Sequence, residues 1–172
     1  MSDHPDVLPK DFPDAPPDAH GEIRPTTPEP LRLARFLPYR LSILSNRISG
    51  AIAEGYEERF QLSLPEWRVM AILGEEPDLS AGDVAQRTAM DKVAVSRAVR
   101  KLLDAGRLER HFSPDDKRRS VLALSPKGQA IYDDVVPIAQ AYEDNIRAQM
   151  SDEEWRLLND LLDRLENIQL TL

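Results

Sequence analysis

The feature that most constrains this chain is the stretch from Ser80 to Leu124, and within it one helix with two unlike faces. From about Asp91 to Ala105, Val95, Val99 and Leu102 recur at i, i+4 and i+7, which lines one side of a helix with apolar groups. Lys92, Ser96, Arg97, Arg100 and Lys101 fall on the other side. A helix that packs by one face and shows cations on the other suits the major groove of a duplex. Ahead of it, Ser80 with Asp83 three residues on has the form of a capping box opening a short helix, Ala81 to Arg87. Ala89-Met90 makes the turn, Asp91 serves as N-cap of the longer helix, and Gly106 ends it in a left-handed cap. Arg107 to Phe112 and Ser120 to Leu124 alternate loosely enough for two strands, with Ser113 to Arg119 as the hairpin loop. The pattern predicts a mainly α (α+β) chain built on a winged helix-turn-helix.

Net charge is −8, which on its face argues against nucleic acid. The distribution reverses that impression. Residues 1–30, 31–85 and 126–172 carry −5, −2 and −6, while residues 86–125 carry +5. The one positive segment is the one with the helix-turn-helix pattern, and a local patch is what draws phosphates. With no cysteine, disulfides, thiolate metal sites and thiol redox sensing are excluded. There is no apolar signal region at the N-terminus and no run long enough for a membrane span, so a soluble cytoplasmic protein without membrane partners is expected.

Residues 1–30 hold eight of the fourteen prolines among interspersed Asp, a composition that cannot bury enough surface to offset ordering, and a disordered tail is expected. Leu31 to about Phe60 reads as the first long helix, striped by Leu37, Leu41, Leu44, Ile48, Ala51 and Ile52; Pro38 either kinks it or marks its true start. Ser63-Leu64-Pro65-Glu66 opens the next helix, which runs to Gly74. Ser125-Pro126-Lys127-Gly128 begins a long helix that Pro137 should bend. Ser151 to Glu154 starts a last one, with Trp155, Leu158, Leu161, Leu162, Leu165 and Ile168 on one face. The expected organisation is a tail (1–30), a dimerisation helix (31–60), the winged helix-turn-helix (61–125) and C-terminal dimerisation helices (126–172). The apolar faces at both ends exceed what a small central lobe can cover, which predicts a two-fold homodimer.

The order of helix, LPEWRVMAIL helix, LSAGDVAQRTAMDKVAVSRAVRKLLDAGRLER and SPDDKRRSVLALSPKG resembles the MarR (multiple antibiotic resistance regulator) family of bacterial transcription factors, from about Leu31 to Leu172. Asp116-Lys117-Arg118, followed by a short strand and Ser-Pro-Lys-Gly, is the most specific part; LLDAGRLER is shared by many winged helices. The resemblance implies an obligate dimer that binds palindromic operators, usually as a repressor, with ligands held where the dimerisation helices meet the DNA-binding lobe. FLPYRLSILSNR and TAMDKVAVSRAV resemble regulators of aromatic-acid catabolism, some of which respond to aromatic acyl-coenzyme A thioesters. The absence of cysteine departs from the peroxide-sensing branch.

Residue by residue, Arg97 and Ser96 are the candidates for base contact, with Lys92 and Ala94 beside them: an Arg can bridge guanine's two acceptors and an Ala methyl can touch thymine's. Ser96 can equally bond a phosphate, as Arg100 and Lys101 are expected to do. Arg118 is expected to enter a minor groove from the wing tip, steadied by Asp116 and flanked by Lys117 and Arg119. For an effector, Arg40 and Arg47 lie seven apart on one helix face beside Asn46 and can meet a carboxylate or coenzyme A phosphate, or else form ion pairs. Trp67 and Met70 can line an aromatic pocket or simply pack in the core. His111 is expected to satisfy local hydrogen bonds, and with His4 and His20 it makes no metal-ligand spacing. No cofactor is implied. Asp133-Asp134 and Glu153-Glu154 are read as first-turn carboxylates that favour the helix dipole, not as an acid–base dyad. A winged-helix module that meets an acidic protein, and a small carboxylate enzyme, are the rival readings.

Overall fold

Five of the helix starts that the sequence marks with Ser or Asp close as caps in the computed structural model, which describes residues 30–112 and 120–169. A short 3₁₀ turn, Leu33–Arg35, leads into α1 (Leu37–Glu54) and the single turn α2 (Glu57–Phe60). Then come α3 (Leu64–Glu75), α4 (Ala81–Thr88), α5 (Lys92–Asp104), the strands β1 (Leu108–Phe112) and β2 (Ser120–Leu124), α6 (Pro126–Arg147) and α7 (Asp152–Glu166). Mostly helix with one small antiparallel sheet, this is the winged helix-turn-helix that the sequence predicts.

The caps are reciprocal. The amides of Ser63, Ser80 and Ser151 donate to Glu66, Asp83 and Glu154 at 2.8, 2.9 and 2.8 Å, so each box satisfies donors that a bare helix start would leave open. Asp91 accepts from the amides of Val93 and Ala94, both at 2.9 Å, and fixes the start of α5. At the other end, Gly106 takes φ +65° while its amide bonds Leu103 and that of Arg107 bonds Leu102, a Schellman closure.

The core gathers Val69, Met70 and Leu73 of α3, Val84 and Ala85 of α4, and Val95, Ala98, Val99 and Leu102 of α5. Leu108 and Leu122 close it from the sheet, Ala53 and Val135 from α1 and α6, and Tyr56 and Leu62 from the segments on either side of α2. The stripe on α5 is therefore buried, at about 1.5–3 kcal/mol for each Val or Leu.

Three expectations are corrected. The segment 31–60 is not one helix: Phe36 is extended, Pro38 sits in the first turn of α1, and the chain breaks at Gly55–Tyr56 before α2. A proline in the first turn gives up only an amide that has no intrahelical partner, and its fixed φ suits the helix, so Pro38 marks a start, not a kink. Gly55 lies where a Cβ would come within 2.7 Å of Ile138, so the break lets α1 pass close to α6. Asp133 and Asp134 sit about two turns into α6, past the reach of the helix dipole's positive end. There Asp133 accepts from Gln129 at 2.8 Å and Asp134 from Arg59 at 3.1 Å. Arg107 belongs to the Schellman closure, and β1 begins one residue later.

The sheet pairs Leu108 with Leu124 through to Phe112 with Ser120. A bridge between Leu79 and Leu122 ties the loop before α4 to the outer side of β2. Pro137 lies within α6 without ending it. No described helix is long and apolar enough to cross a membrane.

Candidate nucleic-acid interface

Lys92, Ser96, Arg97, Arg100 and Lys101 are all exposed on α5, opposite the buried stripe. Lys92 and Arg97 form no ion pair with any described residue. Arg100 lies 4.0 Å from Asp104, and the Lys101 amine lies 3.7 Å from Glu66. The Arg100 pair is exposed at both ends and contributes little in water, so it can exchange its carboxylate for a phosphate, whereas Lys101 is exposed but its partner Glu66 is buried. Ala94 is half-buried and turned toward α3, where with Ser63, Pro65, Glu66 and Arg97 it lines a shallow cleft of about 250 Å³. Asp116, Lys117, Arg118 and Arg119 lie outside the described residues, as does most of the tail.

The mount of α5 was not foreseen. The Arg107 guanidinium donates to the carbonyls of Phe60 and, at 3.3 Å, Gln61, so it tethers the end of α2 to the end of α5. The Ser125 hydroxyl donates to the Gly106 carbonyl at 2.7 Å and accepts from the Gly128 amide at 3.0 Å. The Lys127 amine donates to the Ala105 carbonyl at 2.8 Å. A Cβ at Gly128 would fall 1.9 Å from the Arg107 carbonyl oxygen, so α6 starts in direct backbone contact with the exit of α5. Ser-Pro-Lys-Gly after β2 was the available signal: its hydroxyl, amine and missing Cβ are the groups that make this joint. At the sheet, His111 Nε2 lies 2.7 Å from the Asp78 carboxylate, and Asp78 holds a left-handed φ of +64°.

The expected effector residues fall into two groups. Arg40, Asn46 and Arg47 are exposed on α1, and neither arginine bonds a described residue. Trp67 is half-buried between Tyr56 and Tyr132, with ring centroids 5.7 and 5.9 Å away. Met70 is fully buried in the core. The Tyr56 hydroxyl is buried with no hydrogen-bond partner among the described residues, and burial, with Glu57 adding to it, pushes its pKa up to about 12. Among the described residues no group of three or more His, Asp or Glu is placed to hold a metal ion.

A capped helix with a cationic outer face, a preceding helix and turn, and a hairpin bridged to the lobe define a winged helix-turn-helix regulator. Residues 60–119 match the family model described as MarR family. The chain is 25% identical over 131 residues to the HTH-type transcriptional repressor Rv2887 of Mycobacterium tuberculosis, covering 76% of this chain and 91% of that one. It is also similar to a MarR/EmrR family transcriptional regulator from Acinetobacter, at 26% identity, TM-score 0.72, and 80% and 96% coverage. CouR from Rhodococcus jostii, solved bound to p-coumaroyl-CoA, shares the fold at 18% identity, TM-score 0.69, and 82% and 99% coverage. Over residues 60–119 the chain carries the MarR-family winged-helix sequence, and its likeness to MarR-family transcriptional regulators extends along most of its length.

Proposed function

We propose that the protein is a ligand-responsive repressor that binds a palindromic operator as a homodimer, each copy laying α5 in a major groove. One observation carries this reading: the cations of α5 face solvent on a helix whose other side is locked into the core, in a chain that is acidic elsewhere. Arg97 faces base edges, Lys92, Arg100 and Lys101 face phosphates, and Arg118 enters the minor groove with Asp116, Lys117 and Arg119 around it. The exposed apolar residues of α1 and α7 support a second copy as their cover.

The effector is an aromatic acid or its coenzyme A thioester. Support comes from the thioester in the CouR structure and from the aromatic set around Trp67. Arg40, Arg47 and Asn46 meet its anionic part and Trp67 its ring side, while Met70, fully buried, packs in the core and makes no effector contact. Release follows if the effector binds better to a dimer whose recognition helices are wrongly spaced; a coupling of roughly 1–3 kcal/mol gives a 5- to 150-fold loss of operator affinity.

The test is selection from a random duplex library, then anisotropy titration at several salt concentrations. A palindromic consensus with affinity falling steeply in salt is expected. Binding blind to sequence, or binding only to an acidic protein, overturns the proposal. Thermal-shift screening of aromatic acids and their thioesters tests the effector.

A further inference from the structure

Val93 is the one apolar side chain on α5 that the fold leaves in the open, at 57% exposure, while Val95, Ala98, Val99 and Leu102 are buried. Single exposed apolar residues are ordinary on protein surfaces. This one differs in its place. It precedes Arg97 by four residues and Arg100 by seven, so the three rise one above another along the middle of the outward face. Lys92 and Lys101 flank that row, while Ala94, the other small apolar group of the first turn, turns into the cleft beside Ser63 and Pro65. The helix gains nothing from a β-branched residue there: Val is a poorer helix former than Ala, and its methyls touch no core. An apolar group at the leading end of a cationic row has one apolar counterpart on a major-groove floor, the C5-methyl of thymine.

We infer that Val93 is a specificity-determining residue that reads a thymine methyl in each half-site, next to the guanine that Arg97 addresses. The inference rests on the DNA-binding reading above. It predicts that the operator contains an essential thymine whose value lies in its methyl group and not in its hydrogen bonds.

Deoxyuridine keeps every hydrogen-bonding atom of thymine and lacks only that methyl, so it isolates the contact. In the selected site, each thymine is replaced singly by deoxyuridine, and affinities of the full-length wild type and Val93→Ala are measured by anisotropy. The wild type is expected to lose about fourfold at one thymine position per half-site, the effect of returning one methyl to water. Val93→Ala is expected to be indifferent at that position, with its folded-state circular dichroism unchanged. A wild type insensitive at every thymine, or a Val93→Ala protein that keeps the full loss, overturns the inference. If the wild type selects a palindrome and Arg97→Ala abolishes binding while deoxyuridine has no effect, the DNA reading stands and this inference alone falls. If no sequence is selected at all, both fall.

Discussion

The lobe from α3 to β2 and the helices at the chain's two ends obey different rules. In the lobe, Val69, Met70, Val84, Val95, Leu102 and Leu122 lie at 2% exposure or less, and the helix starts are capped. Along α1 and α7, Leu41, Leu44, Leu157 and Leu161 are exposed, and α7 buries no residue fully. Yet α7 has the capping box and apolar stripe of a well-specified helix. The contrast teaches that local helix code and tertiary burial are separate demands: α7 meets the first alone, and its apolar face awaits a surface that the described residues of this copy do not supply.

The largest expected effect tests the self-sufficiency of the lobe. Leu102→Ala removes a fully buried side chain and should cost about 2–5 kcal/mol, read as a lower urea midpoint. A cost below about 1 kcal/mol would mean the lobe is looser than its burial indicates. Next, Leu161→Lys on α7 places a charge in the proposed dimer seam. Sedimentation should show a weakening of association of about tenfold or more, at roughly 1.5–3 kcal/mol per Leu, with lobe helicity unchanged. An unaltered dimer would place the seam elsewhere. A smaller effect is expected at the boundary between the two regions. Tyr56→Phe removes a buried hydroxyl with no partner among the described residues and should raise stability by about 1 kcal/mol. The same substitution should remove an alkaline step: with the phenol raised from 10.0 to about 12, its contribution is fully present below pH 10 and is lost as pH rises through 12. A destabilised Tyr56→Phe protein would show that the hydroxyl has a partner.

The smallest effect belongs to α7. Hydrogen bonds from the Ser151 amide and hydroxyl hold the Glu154 carboxyl below its usual value of 4.5. Its contribution is therefore present above pH 4.5 and is lost as pH falls through the depressed value. Ser151→Ala should flatten that acid limb slightly, visible as lower helicity above pH 4.5 and a smaller loss on acidification; an identical acid titration would show that the box does not hold in solution.

Much of this was legible in the chain because it is written locally. Asp91, the Val95-Val99-Leu102 stripe and Gly106 bracket α5 within a few residues, and Ser80 with Asp83 does the same for α4. The break at Gly55–Tyr56 was hidden because the apolar spacing of α1 runs on through it, and only the closeness of Ile138 on α6 gives the glycine its reason. Arg107 was read as the start of a strand, since its acceptors at Phe60 and Gln61 are nearly fifty positions away. On the outward face of α5, the basic residues were evident from composition, whereas the outward turn of Val93 and the inward turn of Ala94 depend on how α3 abuts the helix.

The contact between Gly128 and the Arg107 carbonyl makes the exit of α5 and the entry of α6 a single stiff elbow. Such an elbow leaves no slack between the reading head and the long shaft behind it. In the proposed repressor, a tilt of that shaft under a bound effector would arrive at the base pairs as a change of stride.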